Sequence, residues 1–293
     1  MIAPSEHYSR SEVQREIYDF CRGRWVALHY VDSSGNLIFR RYLRGKPIKM
    51  RDPDDLTRLG ADSLRSVYAT ANVYDRLQVV EDVYDPLNIA YCTPTWDIDS
   101  NLSRWKETLA VAKEIIHFLN DWGVEKSIYI KWSGNGCHVH INERGISEDI
   151  LRDHNQGRNP LDLAYAITEY TVSKLSLKIL ELSSNGRIKV ENKMDPTRVF
   201  TCPLSLHREL DAVCVCMKPE EVDEFTPEWI SPQNFRHNPR WREFREGEVD
   251  RLAEAAHAAI GGYPLKFRRR SGRTKPLDKQ ILEWLKKFEN DGI

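Results

Sequence analysis

Two aspartates separated by one residue, Asp97-Ile98-Asp99, close the segment NIAYCTPTWDIDS, whose β-branched and aromatic content is that of a strand. Side chains on a strand alternate between faces, so the two carboxylates project the same way, about 7 Å apart. Like charges so placed repel unless a cation sits between them, and Mg²⁺ or Mn²⁺ with hard oxygen ligands meets that need. Taken alone, the pair could equally be two solvated acids on an exposed face. A second segment, Trp132-Ser133-Gly134-Asn135-Gly136-Cys137-His138-Val139-His140-Ile141, sets a small residue and two glycines between strands. Such a turn lets backbone N–H groups approach an anion closely, and Ser133 and His138 add donors. His140 shares a strand face with His138 and is read as a core histidine. In a third segment, Arg198-Val199-Phe200-Thr201-Cys202-Pro203-Leu204-Ser205-Leu206-His207-Arg208, a proline breaks the strand and turns Ser205 to His207 aside. Arg198, Ser205, His207 and Arg208 suit the spread charge of a triphosphate, which fixed cations and hydroxyl donors stabilise best. By itself this segment also fits an ordinary polar loop.

These groups need a scaffold that brings strand ends together. Residues 11–21 have helical spacing, and WVALHYVD, SSGN and LIFRRYL read as a hairpin. RSVYATANVYD alternates as a strand does. SRWKETLAVAKEIIHFLNDWG is an amphipathic helix with a Ser start and a Gly stop, and PLDLAYAITEYTVSKLSLKILELSS is a long helix opened by proline. SIYIKWSG and CHVHINE form a second strand pair, and RIKVEN, TRVFTCPLS and AVCVCM are further strands. Two helical stretches, VDRLAEAAHAAI and DKQILEWLKKFE, follow a proline-punctuated segment. Strands and helices with many hairpins predict a mixed sheet with helices packed on it.

Composition narrows the setting. With 293 residues, 41% hydrophobic and 30% charged, the chain can bury a substantial core. It has no apolar run of membrane-spanning length and no signal-peptide core at its start, so a cytoplasmic protein without a membrane partner is expected. Six cysteines without a C-x-x-C pair are read as buried thiols, and no structural zinc is expected. The net charge of −1 means that a polyanion must be held by local patches. One such patch is Lys266, Arg268, Arg269, Arg270, Arg273 and Lys275, which fits either a salt-dependent grip on nucleic acid or a solvated linker. Trp25, Tyr42, Arg40 and Arg41 could stack on a single strand or simply pack the hairpin.

The order D-x-D, S-G-x-G-x-H-x-h-I, then a strand acid followed by R-x-x-x-x-P-x-S-L-H, resembles the archaeo-eukaryotic primase superfamily over roughly residues 13–217. TRVFTCPLSLH is especially similar to the small catalytic subunit of archaeal primase, and REIYDF and SVYATANVYD resemble that family's N-terminal stretch. The resemblance implies an α+β fold with mixed and antiparallel sheets flanked by helices and an RRM-like catalytic half. Residues 1–262 would form the catalytic domain, with an N-terminal part to about residue 90 and the RRM-like part over about 91–220. A basic linker and C-terminal helix would occupy 263–293.

By the same resemblance Asp97 and Asp99 bind metal with a third acid, Glu191 or Asp195, of which the strand-end Glu191 is favoured. Lys131, Ser133, Gly136, His138, Arg198, Ser205 and His207 would hold the nucleotide. The implied activity is DNA-templated nucleotidyl transfer with a pair of Mg²⁺ or Mn²⁺ ions, taking NTP or dNTP, a primer strand and a single-stranded DNA template. A second primase subunit, or a replication, repair or defence protein, would be the macromolecular partner. The glycine turn is one residue shorter than in archaeal primases, and the stretch between Asp99 and Ser133 is too short for a zinc-binding insertion. Both features also suit a compact primase-polymerase. The competing classes are a metal-dependent nuclease or phosphoesterase and a non-catalytic nucleic-acid-binding module.

Overall fold

The computed structural model describes residues 2–60, 63–151, 159–183 and 188–264. In chain order the helices are α1 (Pro4–Tyr8), α2 (Ser11–Cys21), α3 (Asp55–Arg58), α4 (Trp105–Asp121), α5 (Glu148–Leu151), α6 (Pro160–Leu182) and α7 (Asp250–Ile260). The strands are β1 (Arg24–Val31), β2 (Leu37–Arg40), β3 (Tyr42–Leu43), β4 (Lys46–Pro47), β5 (Leu64–Tyr74), β6 (Ile89–Cys92) and β7 (Thr95–Asp99). They continue with β8 (Ile128–Trp132), β9 (Cys137–Ile141), β10 (Lys189–Glu191), β11 (Val199–Thr201) and β12 (Val215–Met217). One sheet runs β11-β5-β1-β2 with β6 also on β5, a second runs β10-β7-β9-β8-β12, and β3 pairs with β4. Every pairing among the described residues is antiparallel.

Local chemistry explains most boundaries. Asp32 closes the first hairpin by accepting from the backbone N–H groups of Ser34 and Asn36, which sets Leu28 opposite Arg40. Asn159 caps α6 by accepting from Asp162 N, Asp162 reaches back to the cap, and Pro160 fills the first turn, where its missing N–H costs nothing. In α4 the spacing of Leu109, Ala112, Ile115, Ile116 and Leu119 makes one buried stripe, each large member contributing about 1.5–3 kcal/mol. Gly123, with φ +85, ends that helix as expected of a left-handed C-terminal glycine. Its start differs from the sequence reading. Ser103 turns its hydroxyl to Asn101 Oδ1, and α4 begins at Trp105 after a 3₁₀ turn, without a side-chain cap.

The chain does not fill its sheets in order. β11 crosses back to pair with β5, so Phe200 lies opposite Ala69 in the first sheet although its neighbours in sequence serve the second. The six cysteines are free and buried. Among the described residues no helix is long and apolar enough to cross a membrane. Residues as far as Tyr263 form one compact unit. The basic run 266–275 and the helix expected over DKQILEWLKKFE lie outside the described residues.

Candidate active site

Register assembles the site. Glu191 of β10 lies opposite Asp97 of β7, Asp97 opposite His138 of β9, His138 opposite Lys131 of β8, and Lys131 opposite Cys216 of β12. Directly paired residues share a sheet face, so five strands present one row of side chains. Asp99, two residues beyond Asp97, joins the same face. The alternate residues Ile98, Cys137, Trp132 and Val215 are fully buried on the other face.

At the acidic end, three carboxylates meet one ammonium. Lys193 Nζ stands 2.7 Å from Asp97 Oδ2, 2.5 Å from Asp99 Oδ2 and 3.1 Å from Glu191 Oε2. The second oxygen of Asp97 accepts from His138 Nε2 at 3.2 Å. Burial alone would raise the Asp97 carboxyl, but His138 and then Lys193 outweigh it and hold the group well below the usual carboxylate range. Burial would lower Lys193, and Asp97, Asp99 and Glu191 together raise it above the ordinary lysine value. Lys193 also lowers Glu191. The donor set fits a hard divalent cation: three carboxylates from two paired strands already surround a positive charge. Metal–oxygen bonds to Mg²⁺ are about 2.0–2.1 Å, so the oxygens must close in as the ammonium leaves. Among the described residues, no group of three His, Cys, Asp or Glu is arranged to ligate a metal as it stands.

Beyond the acids lies a cleft of about 250 Å³ lined by Asp97, Asp99, His138, Ser133, Arg198 and His207, with Arg208 and Tyr68 also on its walls. His207 Nδ1 accepts from the backbone N–H groups of Glu209 and Leu210 at 3.1 and 2.9 Å. That fixes the proton on Nε2, which makes the ring a donor. Burial, then Arg208, lowers the pKa of His207. Arg198 is held by the Lys193 carbonyl at 2.8 Å and by Asp195 Oδ2 at 2.9 Å. Gly134 has φ +134, and a Cβ there would meet His207 Cδ2 at 2.5 Å, so the turn carries no side chain where the imidazole lies. Gly136 does similar service toward β7, where a Cβ would stand 2.4 Å from the Ile98 carbonyl oxygen.

Two other residues expected at the nucleotide, Lys131 and Ser205, stand apart from the cleft. Lys131 is fully buried, donates to the Thr201 carbonyl at 2.9 Å and lies 4.2 Å over the Phe20 ring. Ser205 is likewise buried and accepts from Val67 N at 2.8 Å, so it braces the loop that ends in His207. His138 lines the cleft but turns Nε2 to Asp97, so it orients a carboxylate. His140 is a buried core residue bonded to Thr95 and stacked on Tyr129. Asp195 is engaged by Thr197 and Arg198, whereas Glu191 faces Asp97 across the ladder. Trp25 is 1% exposed with the Arg41 guanidinium 3.4 Å above its ring, which leaves no face for a base. Lys193 escaped the sequence reading because nothing in VENKMDP marks a lysine that will meet acids from another strand. Tyr68, Val199 and Thr201 escaped for a related reason: β11 reaches the cleft only through its pairing with β5.

A larger cavity of about 420 Å³ lies elsewhere, between Phe20, Arg24, Tyr91, Glu143, Trp241 and Arg242. Its principal charges are already matched, Arg24 with Glu143 at 2.7 Å and Arg242 with Asp19 at 2.6 Å.

The fold is of the mixed α+β class, with antiparallel sheets flanked by helices. The chain is similar to the polymerase domain of Mycobacterium tuberculosis Ligase D, a structure solved in complex with DNA, with a TM-score of 0.56 over 88% of each chain. At 12% identity this likeness is one of fold. In sequence the chain is 33% identical over 91 residues to an uncharacterized protein of Methanocaldococcus jannaschii, across 31% of this chain and only 20% of that protein. No protein-family model matches the chain.

Proposed function

We propose that the chain is a DNA-directed nucleotidyltransferase, which joins nucleotides from NTP or dNTP to a primer strand on a single-stranded DNA template and releases pyrophosphate. The observation that carries this reading is the convergence of Asp97, Asp99 and Glu191 on one cation, beside a cleft walled by Arg198 and His207. A metal-chelated triphosphate needs those two halves next to each other. The fold shared with a polymerase domain solved with DNA supports a nucleic-acid substrate.

In this reading Asp97, Asp99 and Glu191 would hold Mg²⁺ or Mn²⁺, which would lower the pKa of the attacking 3′-hydroxyl and neutralise charge during the in-line displacement. His138 orients Asp97 by its hydrogen bond, the usual task of a group behind a metal ligand. Arg198, held by Asp195 and a backbone carbonyl, presents a fixed cation to the phosphates. His207 adds a neutral N–H donor, and Ser133 and Arg208 complete the anion wall. Glu191 is the third ligand in this scheme, because Asp195 serves Arg198.

One observation favours a second reading. A lysine at the carboxylate centre also suits a non-catalytic nucleic-acid-binding module whose cation is permanent. The deciding experiment incubates the full chain with primed and unprimed single-stranded DNA, each nucleotide type and Mn²⁺ or Mg²⁺, then sizes products and measures pyrophosphate. Metal-dependent extension with pyrophosphate is expected. Continued extension by a chain carrying both Asp97→Asn and Asp99→Asn would rule out the metal-site assignment, and a wild type with neither product nor pyrophosphate would favour the module.

A further inference from the structure

We infer that Lys193 is a tethered, exchangeable counter-cation: its ammonium holds the carboxylates of Asp97, Asp99 and Glu191 together until a divalent ion takes its place. The inference rests on the metal-site reading above and goes beyond it, since it assigns a task to a residue outside the expected ligand set. Three observations carry it.

First, the ammonium sits at the point the three carboxylates share, within 3.1 Å of an oxygen from each. A hard divalent cation bound by these oxygens needs that same point, so the two cannot be there together. Second, the backbone around Lys193 is pinned by bonds that do not involve its ammonium. Asn192 is anchored to α6 through Tyr165 O and Glu169 Oε2, Met194 N donates back to Asn192 Oδ1, and the Lys193 carbonyl accepts from Arg198 Nε. The ammonium can therefore leave by rotation of its own four-carbon stem, and Arg198 keeps its place when it does. Third, the side chain is a quarter exposed and lines the cleft, so it has somewhere to go. The positive charge then lies beside Arg198 and His207, where a polyphosphate would be met. Without Lys193, three carboxylates would face one another across two strands before any metal arrives, and mutual repulsion would splay edge strand β10 from β7.

The exchange is tested by titrating Mn²⁺ into the full-length wild type, Lys193→Met, Lys193→Gln and Asp97→Asn, with calorimetry for affinity and melting in chelator for the metal-free state. Removing the competing charge should tighten Mn²⁺ binding about tenfold in both Lys193 variants, roughly the effect of one favourable ion-pair energy. In chelator both variants should melt below the wild type, and Mn²⁺ should erase the difference. Two lysine replacements of different polarity guard against a folding defect in one. If both variants bind Mn²⁺ no more tightly than the wild type while Asp97→Asn abolishes binding, the exchange is wrong and the metal site survives. If Mn²⁺ binds only when Lys193 is removed, the lysine is permanent, and both the exchange and the metal-dependent reading fail. Absence of Mn²⁺ binding in every chain rejects both as well.

Discussion

Lys131 and Cys216 stand in the same cross-strand row, on the same sheet face, as Glu191, Asp97 and His138, yet the two ends of that row have opposite fates. Lys131 and Cys216 are sealed, the lysine beneath the Phe20 ring of α2 and the Thr201 carbonyl of β11. Asp97 and His138 line a cleft, and Glu191 on the edge strand β10 is about half exposed. Register decides which face a side chain takes, and whatever crosses over that face decides whether it meets a ligand or a lid. A charged residue on the functional face is therefore not a functional residue by position alone.

The sharpest way to break this contrast is at the open end. Asp97→Asn with Asp99→Asn should lower nucleotide incorporation by more than about a hundredfold, since a metal supplies several kcal/mol of transition-state stabilisation. The variant should keep the wild-type circular dichroism spectrum. Retained incorporation would place the chemistry elsewhere. Next comes the wall facing the acids. Gly134→Ala forces a Cβ against His207 at a φ of +134, so we expect a stability loss of about 1–3 kcal/mol. ATP affinity, read by calorimetry with Mn²⁺ present, should fall with it, and unchanged affinity would remove His207 from the nucleotide site.

A milder effect comes from the loop that carries His207. Leu204 takes a left-handed φ of +58, and buried His7 donates Nε2–H to its carbonyl at 2.8 Å. Burial, opposed only in part by that hydrogen bond, lowers the pKa of His7 from 6.5 to about 4. The unfolded chain thus takes up this proton before the folded one as pH falls. Stability contributed by neutral His7 is full above about pH 6.5 and declines toward pH 4, by at most about 3 kcal/mol. Denaturant midpoints between those values should drop in the wild type and stay flatter in His7→Gln; parallel curves would contradict the assignment. The smallest effect belongs to the sealed end. Lys131→Met keeps the stem and loses one hydrogen bond to Thr201, which predicts a stability change of about 1–2 kcal/mol. ATP affinity should not move. A large loss of affinity would erase the distinction between the two ends of the row.

The amino-acid sequence determined the elements and the parity of the site. The hairpins, α6 with its Asn159 and Pro160 start, the strand bearing Asp97 and Asp99 on one face, and the Gly134 turn all follow from interactions within a few residues. It also singled out Arg198 and His207, because a proline and a strand break locate them. Only the tertiary structure decided that Lys131 and Ser205 are buried supports, that His138 serves Asp97, that Asp195 is engaged by Arg198, and that Lys193 meets three acids. Each of those outcomes depends on which strand pairs with which and on what crosses the sheet, as when β11 leaves its sequence neighbours to join β5. Such contacts join residues far apart in the chain, 197 positions in the case of His7 on Leu204, and local spacing contains no term for them.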